Sequence, residues 1–213
     1  MSKSKRSELV RGAGMAASVW QKFEDAVERN HGLTEDLHLL AQPEGDSIID
    51  NVAKQLVAVG AMQRDAYVVP VDYGLSHQQQ IEAGKFDWIA GYDGKLIRKN
   101  PTEHLYSVPT GTIEQRVTLV HLNRHAKRLE IIAEMDKLNV RPVLSPEFLA
   151  LTKVHPDLQR KFPLVCLGSV WVDSDGRRDV LCAFGSSGRR NLDVSWGDIG
   201  GWDDGCRFPA VRK

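Results

Sequence analysis

An α+β fold, helical over residues 1–65 and mixed over residues 66–213, follows from three features of the 213-residue sequence. Apolar side chains recur at three- and four-residue spacing in the first third, the period of a helical face. Further on, one apolar strand is followed by two helices, and the chain closes on a run of short β-rich segments parted by turn residues. Hydrophobic residues make up 42% and charged residues 26%, the composition of a chain that folds rather than stays disordered.

Trp20, Phe23 and Val27 share one helical face, which His31-Gly32 is placed to end. Thr34 is positioned to cap a short helix with Glu35 and Asp36 in its first turn, where carboxylates meet the positive end of the dipole. Pro43 opens a third helix, striped by Ile48, Ile49, Val52, Leu56 and Val59 and closed by Gly60. These stripes pack on one another or against the rest of the chain. At residues 67–71 (YVVPV) the text turns β-rich, and Pro70, lacking an amide donor, puts the strand at a sheet edge. Ser76-His77-Gln78-Gln79 reads as a capping box for a helix that passes Ile81 and stops at Gly84. Residues 86–89 return to packing side chains, and residues 91–111 read as turns and short irregular strands.

Residues 117–122 (VTLVHL) predict a strand covered on both faces. The next helix is expected to turn Leu129, Ile132, Met135 and Leu138 inward, to turn Lys127, Arg128, Glu130 and Glu134 outward, and to end at Asn139. Ser145-Pro146-Glu147 combines a capping hydroxyl, a first-turn proline and an early carboxylate. Phe148, Leu151 and Val154 line the helix it starts until Pro156 interrupts. Four β segments follow at 164–172, 180–184, 192–196 and 206–212, the first two joined by a hairpin at Asp175-Gly176. Leu192, Val194 and Trp196 alternate with Asp193 and Ser195, as a half-buried strand requires.

Over residues 117–213 this order of elements resembles the C-type lectin-like fold. RPVLSPEFLAL (141–151) matches the start and aliphatic run of that fold's second helix. LGSVW (167–171) and DVSW (193–196) stand where it carries tryptophan-rich strands, and RFPAVRK (207–213) matches its closing strand. The segment is also similar to a set of bacterial proteins with no assigned activity. The resemblance implies that the first and last strands lie side by side near Val117 and Val211. The three cysteines, Cys166, Cys182 and Cys206, do not reproduce the disulfides of extracellular C-type lectins, so a disulfide-free domain is expected. Trp202-Asp203-Asp204 is similar to the WND-like triplet of their calcium site, without an EPN-like or QPD-like partner triplet. Gly168-Ser169-Val170-Trp171 is similar to the GNVW stretch of formylglycine-generating enzymes, whose catalytic cysteine pair has no clear counterpart here.

Lysine plus arginine number 28 and aspartate plus glutamate 28, so no overall basic surplus draws the chain to nucleic acid. No apolar run approaches the roughly 18 residues of a membrane span. An odd cysteine count without CxxC spacing fits a reducing compartment, and a cytoplasmic location is expected. Trp202-Asp203-Asp204, within the glycine-rich stretch 200–205, offers two carboxylates beside an aromatic platform for a sugar hydroxyl, a cation or a basic peptide. The same residues also fit a solvated turn with its tryptophan in the core. Ca²⁺ takes about six to eight oxygens, more than this loop holds. Asp173, Asp175 and Gly176 begin like a calcium loop, but Phe184 stands where the bidentate glutamate is required.

His121 and His125 would align for zinc only on a helix, and His121 falls in a strand. Cys166 and Cys182 lie in apolar strands, whereas Cys206 adjoins Arg207. Arg124, Lys127, Arg128, Arg177, Arg178, Arg189 and Arg190, with Trp171, Trp196 and Trp202, fit an arginine–aromatic groove for single-stranded nucleic acid or a surface balanced by aspartates. Gly185-Ser186-Ser187-Gly188 lacks a P-loop lysine and reads as a turn. The reading is therefore a non-enzymatic binding module without cofactor or metal. Its protein, peptide or glycan ligand is expected at the late loops, around Trp171, Arg189, Arg190, Trp202, Asp203 and Asp204. The alternatives are an enzyme joining Cys206, His121 and Asp203, and a binder of single-stranded nucleic acid.

Overall fold

The computed structural model describes residues 3–89, 97–172, 174–196 and 200–213. Gly91, at the head of the turn-rich stretch, and Asp173, in the calcium-loop candidate, lie outside the described residues, and so does the side chain of Trp196. Two compact units divide between Val57 and Ala58. Among the described residues no helix is long and apolar enough to cross a membrane.

In the first unit, helix α1 (Lys3–Arg29) ends as expected. His31 adopts a left-handed φ of 63°, and the Gly32 N–H returns to the Val27 carbonyl at 2.9 Å. A 3₁₀ helix follows at Thr34–Ala41, and Thr34 does not cap it. The helix begins at Thr34 itself, and the Asp36 carboxylate, a stronger acceptor than a hydroxyl, takes the Leu33 N–H at 2.8 Å. A 3₁₀ turn at Pro43–Gly45 leads into α2 (Asp46–Arg64). This helix runs past Gly60, since an interior glycine costs a helix only about 1 kcal/mol. The apolar stripes converge without closing into a core. Val19, Trp20, Phe23, Leu37, Val52 and Leu56 line an open groove of about 630 Å³.

The second unit runs β1 (Tyr67–Asp72), α3 (His77–Gly84), β2 (Trp88–Ile89), β3 (Glu103–His104), β4 (Thr112–Val120), α4 (Arg128–Lys137) and β5 (Val140–Pro142). It continues through α5 (Ser145–Val154), α6 (Leu158–Lys161), β6 (Leu164–Val165), β7 (Ser169–Val172), β8 (Arg178–Ser186), β9 (Arg189–Trp196) and β10 (Phe208–Arg212). One antiparallel sheet has the order β1-β4-β10-β5. Pro70 lies in its edge strand, where a missing donor leaves the ladder intact. Val211 pairs with Val117, so the expected contact between the two strands is present. The second sheet has the order β2-β9-β8-β7-β3 with β6 on β8, and only β2 joins its neighbour, β9, in parallel.

Local signals set several elements. Ser76 Oγ accepts the Gln79 N–H at 3.3 Å while Gln79 Oε1 accepts the Ser76 N–H at 2.8 Å, closing the capping box of α3. Ser187 and Gly188, with φ of 50° and 78°, turn β8 into β9, and Gly176 at 77° lies in the turn from β7 to β8. The expected strand over 164–172 divides into β6 and β7. Gly168 lies against the Val143 carbonyl so closely that a Cβ there would collide with it.

Two clusters of buried side chains flank the first sheet. Val69, Val117 and Val211 belong to one with Phe148 and Leu151 of α5. Val120, Phe208 and Ala210 belong to the other with Ile131 and Met135 of α4. The inward face of α4 differs from expectation. Leu129 is 73% exposed, whereas Arg128 is 7% exposed and donates to the Leu167 carbonyl at 3.4 Å. Ile131 and Met135 set the helical phase, and at 100° per residue Leu129 falls on the side away from them. Helix α5 also starts differently. Ser145 is its first residue rather than its cap, and the Leu144 N–H donates to Glu147 Oε2 at 2.7 Å. Glu147 is fully buried and receives Arg141 in a bidentate pair at 2.7 and 2.9 Å and the Tyr73 hydroxyl at 2.8 Å. A buried carboxylate requires this company.

Candidate functional site

Beyond β4 the chain turns through Asn123, whose φ of 55° is tolerated by asparagine better than by most residues. The facing loop arrives through Gly200 and Gly201, with φ of 85° and 79°. The two loops are stitched together. Ala126 donates to the Trp202 carbonyl at 3.1 Å, and Trp202 donates back to Ala126 at 2.9 Å. His121 Nε2 lies 2.7 Å from the Asp204 carbonyl, and His125 Nε2 contacts the Gly200 carbonyl. A carbonyl only accepts, so each Nε2 carries a proton in these contacts. Arg207 donates to the carbonyls of Gly205 at 2.9 Å and Cys206 at 3.2 Å. A Cβ on Gly201 would lie 2.6 Å from the His125 ring, so glycine is required there. Backbone carbonyls thus tie the loop inward and leave Asp203 and Asp204 exposed. Among the described residues neither carboxylate has an ion-pair partner.

The residues expected around this loop do not gather in one place. The Trp202 ring packs against the cluster around Ile131, and its Nε1 is buried with no partner among the described residues, so it is no open platform. Trp171 is 1% exposed and donates to the Lys99 carbonyl at 3.0 Å, which corrects its expected place at the surface. Arg190 is corrected likewise. Its guanidinium donates to the carbonyls of Gly84 at 2.8 Å and Thr152 at 2.6 Å and to Gln159 Oε1 at 3.2 Å, and lies over the Phe86 ring. Carbonyls in the last turns of α3 and α5, at the negative ends of those helices, draw the cation inside. Arg189 is exposed at the opposite end of β9 from Trp196, where it lines a separate cavity of about 580 Å³ with Trp88 and Phe184.

None of the thiols is activated, because burial outweighs the groups that would lower them, Arg207 beside Cys206 included. Burial pushes Cys166 up to about 12 and Cys182 well above its ordinary value. Cys206 rises through burial first and then through Asp203. All three cysteines are free and protonated at neutral pH. Among the described residues no group of three or more His, Cys, Asp or Glu side chains is placed to hold a metal ion. Arg124 lies 3.9 Å from Glu130, Arg177 3.9 Å from Asp175 and Arg178 3.9 Å from Glu103, so the basic clusters are answered by local acids. The part of His121 as a loop anchor is invisible to sequence reading, because its acceptor lies 83 residues away. No family model matches the chain, and no curated protein or solved structure matches it either.

Proposed function

We propose that the protein is a non-enzymatic binding module, that residues 117–213 are C-type lectin-like, and that Asp203 and Asp204 hold a basic segment of a protein or peptide. One observation carries the binding reading: side-chain donors fix the 200–205 backbone while both carboxylates stay exposed and unpaired among the described residues. A loop ordered before contact loses little entropy on binding. The β4–β10 pairing, with Val211 opposite Val117, supports the lectin-like reading. Three free, buried thiols support a cytoplasmic setting.

The test is fluorescence anisotropy with a labelled lysine-rich peptide at low salt. Charge-assisted hydrogen bonds contribute about 1.5–3 kcal/mol each, so Asp203→Asn with Asp204→Asn is expected to weaken binding at least tenfold at an unchanged melting temperature. Trp202→Ala is expected to lower the melting temperature, since its ring is seated on the core. Equal affinity of the double variant and the wild type would remove the carboxylates from the site. Saturable binding of a neutral oligosaccharide in place of the peptide would move the ligand class to glycans.

A further inference from the structure

The first sheet carries a second feature, where β10 ends rather than where the 200–205 loop leads into it. Alternate residues of a strand share a face, so Arg116 and Thr118 of β4 lie on the side of Val120, and Arg212 of β10 on the side of Ala210. Val120 and Ala210 belong to the cluster beneath α4, and the arginines continue that face towards the end of the helix. The register pairs Ala210 with Thr118 and Val211 with Val117, and one further step sets Arg212 opposite Arg116. Like charges directly opposite destabilise a strand pair. A third guanidinium, Arg64, comes from the last turn of α2, whose residues from Ala58 onward belong to the second unit, and its Nη1 lies 3.2 Å from the place a Cβ on Gly60 would take.

These three arginines line one cavity of about 560 Å³ together with Val59, Leu138 and Val140, and no carboxylate is among its lining residues. No ion pair or side-chain hydrogen bond engages Arg64, Arg116 or Arg212 among the described residues. The nearby Asp136 is taken by Lys213 at 2.7 Å. Arg64 meets the negative end of its own helix. Thr118 and Asn139 add neutral donors to the same wall.

We propose that this cavity binds a small organic phosphate, its phosphoryl group held by Arg116, Arg212 and Arg64 and its remainder lying on Val59, Leu138 and Val140. A dianion relieves the repulsion between the facing arginines, and planar guanidinium groups match phosphate oxygens two at a time. Ligand pockets span about 300–1,000 Å³, so the space suits a phosphate ester rather than the bare ion.

Isothermal titration calorimetry at low ionic strength tests this, with adenosine monophosphate, inorganic phosphate and adenosine as probes. The expected result is saturable binding of the monophosphate, tighter than inorganic phosphate, with no binding of adenosine. Each substitution removes charge-assisted hydrogen bonds to the phosphoryl group, so Arg116→Gln and Arg212→Gln should each weaken the monophosphate about tenfold or more. Without ligand, both variants should melt at or above the wild-type temperature, because a like-charge pair has been removed. The proposal is overturned if neither phosphate compound binds saturably, if adenosine binds as well as its monophosphate, or if the two variants retain wild-type affinity.

Discussion

His77 is 6% exposed, with Nε2 2.9 Å from the Ile97 carbonyl, Nδ1 unpartnered among the described residues, and its ring 5.5 Å from that of Trp171. Burial first, and then the neighbouring His104, lower its pKa from the ordinary value of 6.5. His104 is itself lowered by burial, and its Nδ1 lies 2.7 Å from Ser169 Oγ, a hydroxyl that already accepts the Ser145 N–H. The unfolded chain takes up protons on these rings near pH 6.5, whereas the folded chain does so only at lower pH. In that window the unfolded state binds more protons, so stability falls as pH drops from about 6.5 through the folded values and gains nothing from these groups above it. Urea unfolding at pH 7.5, 6.0 and 5.0 should show this loss, and His77→Gln should make the slope shallower. Parallel slopes for variant and wild type would mean that His77 does not titrate differently on folding.

At the scale of elements, what could be read ahead was what neighbours in sequence decide. The Ser76–Gln79 box, the left-handed end at His31 and the Ser187-Gly188 turn each need only a few consecutive residues. The face of α4 needs more. Leu129 is as apolar as Ile131, yet only the surface brought in by β4 and β10 tells which of them is buried. Arg190 illustrates the same limit at the candidate site, because its acceptors at Gly84 and Thr152 lie 106 and 38 residues away. A hydropathy pattern assigns such a cation to solvent. Arg64, Arg116 and Arg212 form no motif, since sheet register and a helix end bring them together. The observed phase of α4 makes a sharp prediction. Ile131 is fully buried, so Ile131→Ala is expected to cost about 2–5 kcal/mol of unfolding free energy. Leu129→Ala, at an exposed position, should stay within about 0.5 kcal/mol. Denaturant titration separates the two, and the reverse ranking would rotate the helix by nearly half a turn.

For the second unit as a whole, the decisive piece is the shorter of the two central strands of its first sheet. β10 has five residues and lies between β4 and β5, so it forms two of the three ladders of the first sheet. Its side chains divide between the two clusters, Val211 joining Phe148 and Leu151, and Phe208 and Ala210 joining Ile131 and Met135. The chain also passes from the candidate loop into this strand through Arg207, whose N–H binds the Pro163 carbonyl at 2.8 Å and whose carbonyl receives the Val165 N–H at 3.0 Å. Closing the sheet therefore fastens the base of the 200–205 loop to β6 of the second sheet. Contacts between segments so distant in sequence form only when the intervening chain is already ordered, which makes their loss cooperative. A chain ending at Arg207 should accordingly lose the cooperative thermal transition of this unit, whereas Asp203→Asn with Asp204→Asn should keep it. Circular dichroism melts decide the matter: a transition retained within a few degrees after removal of residues 208–213 would show that the two buried clusters cohere without the strand they share.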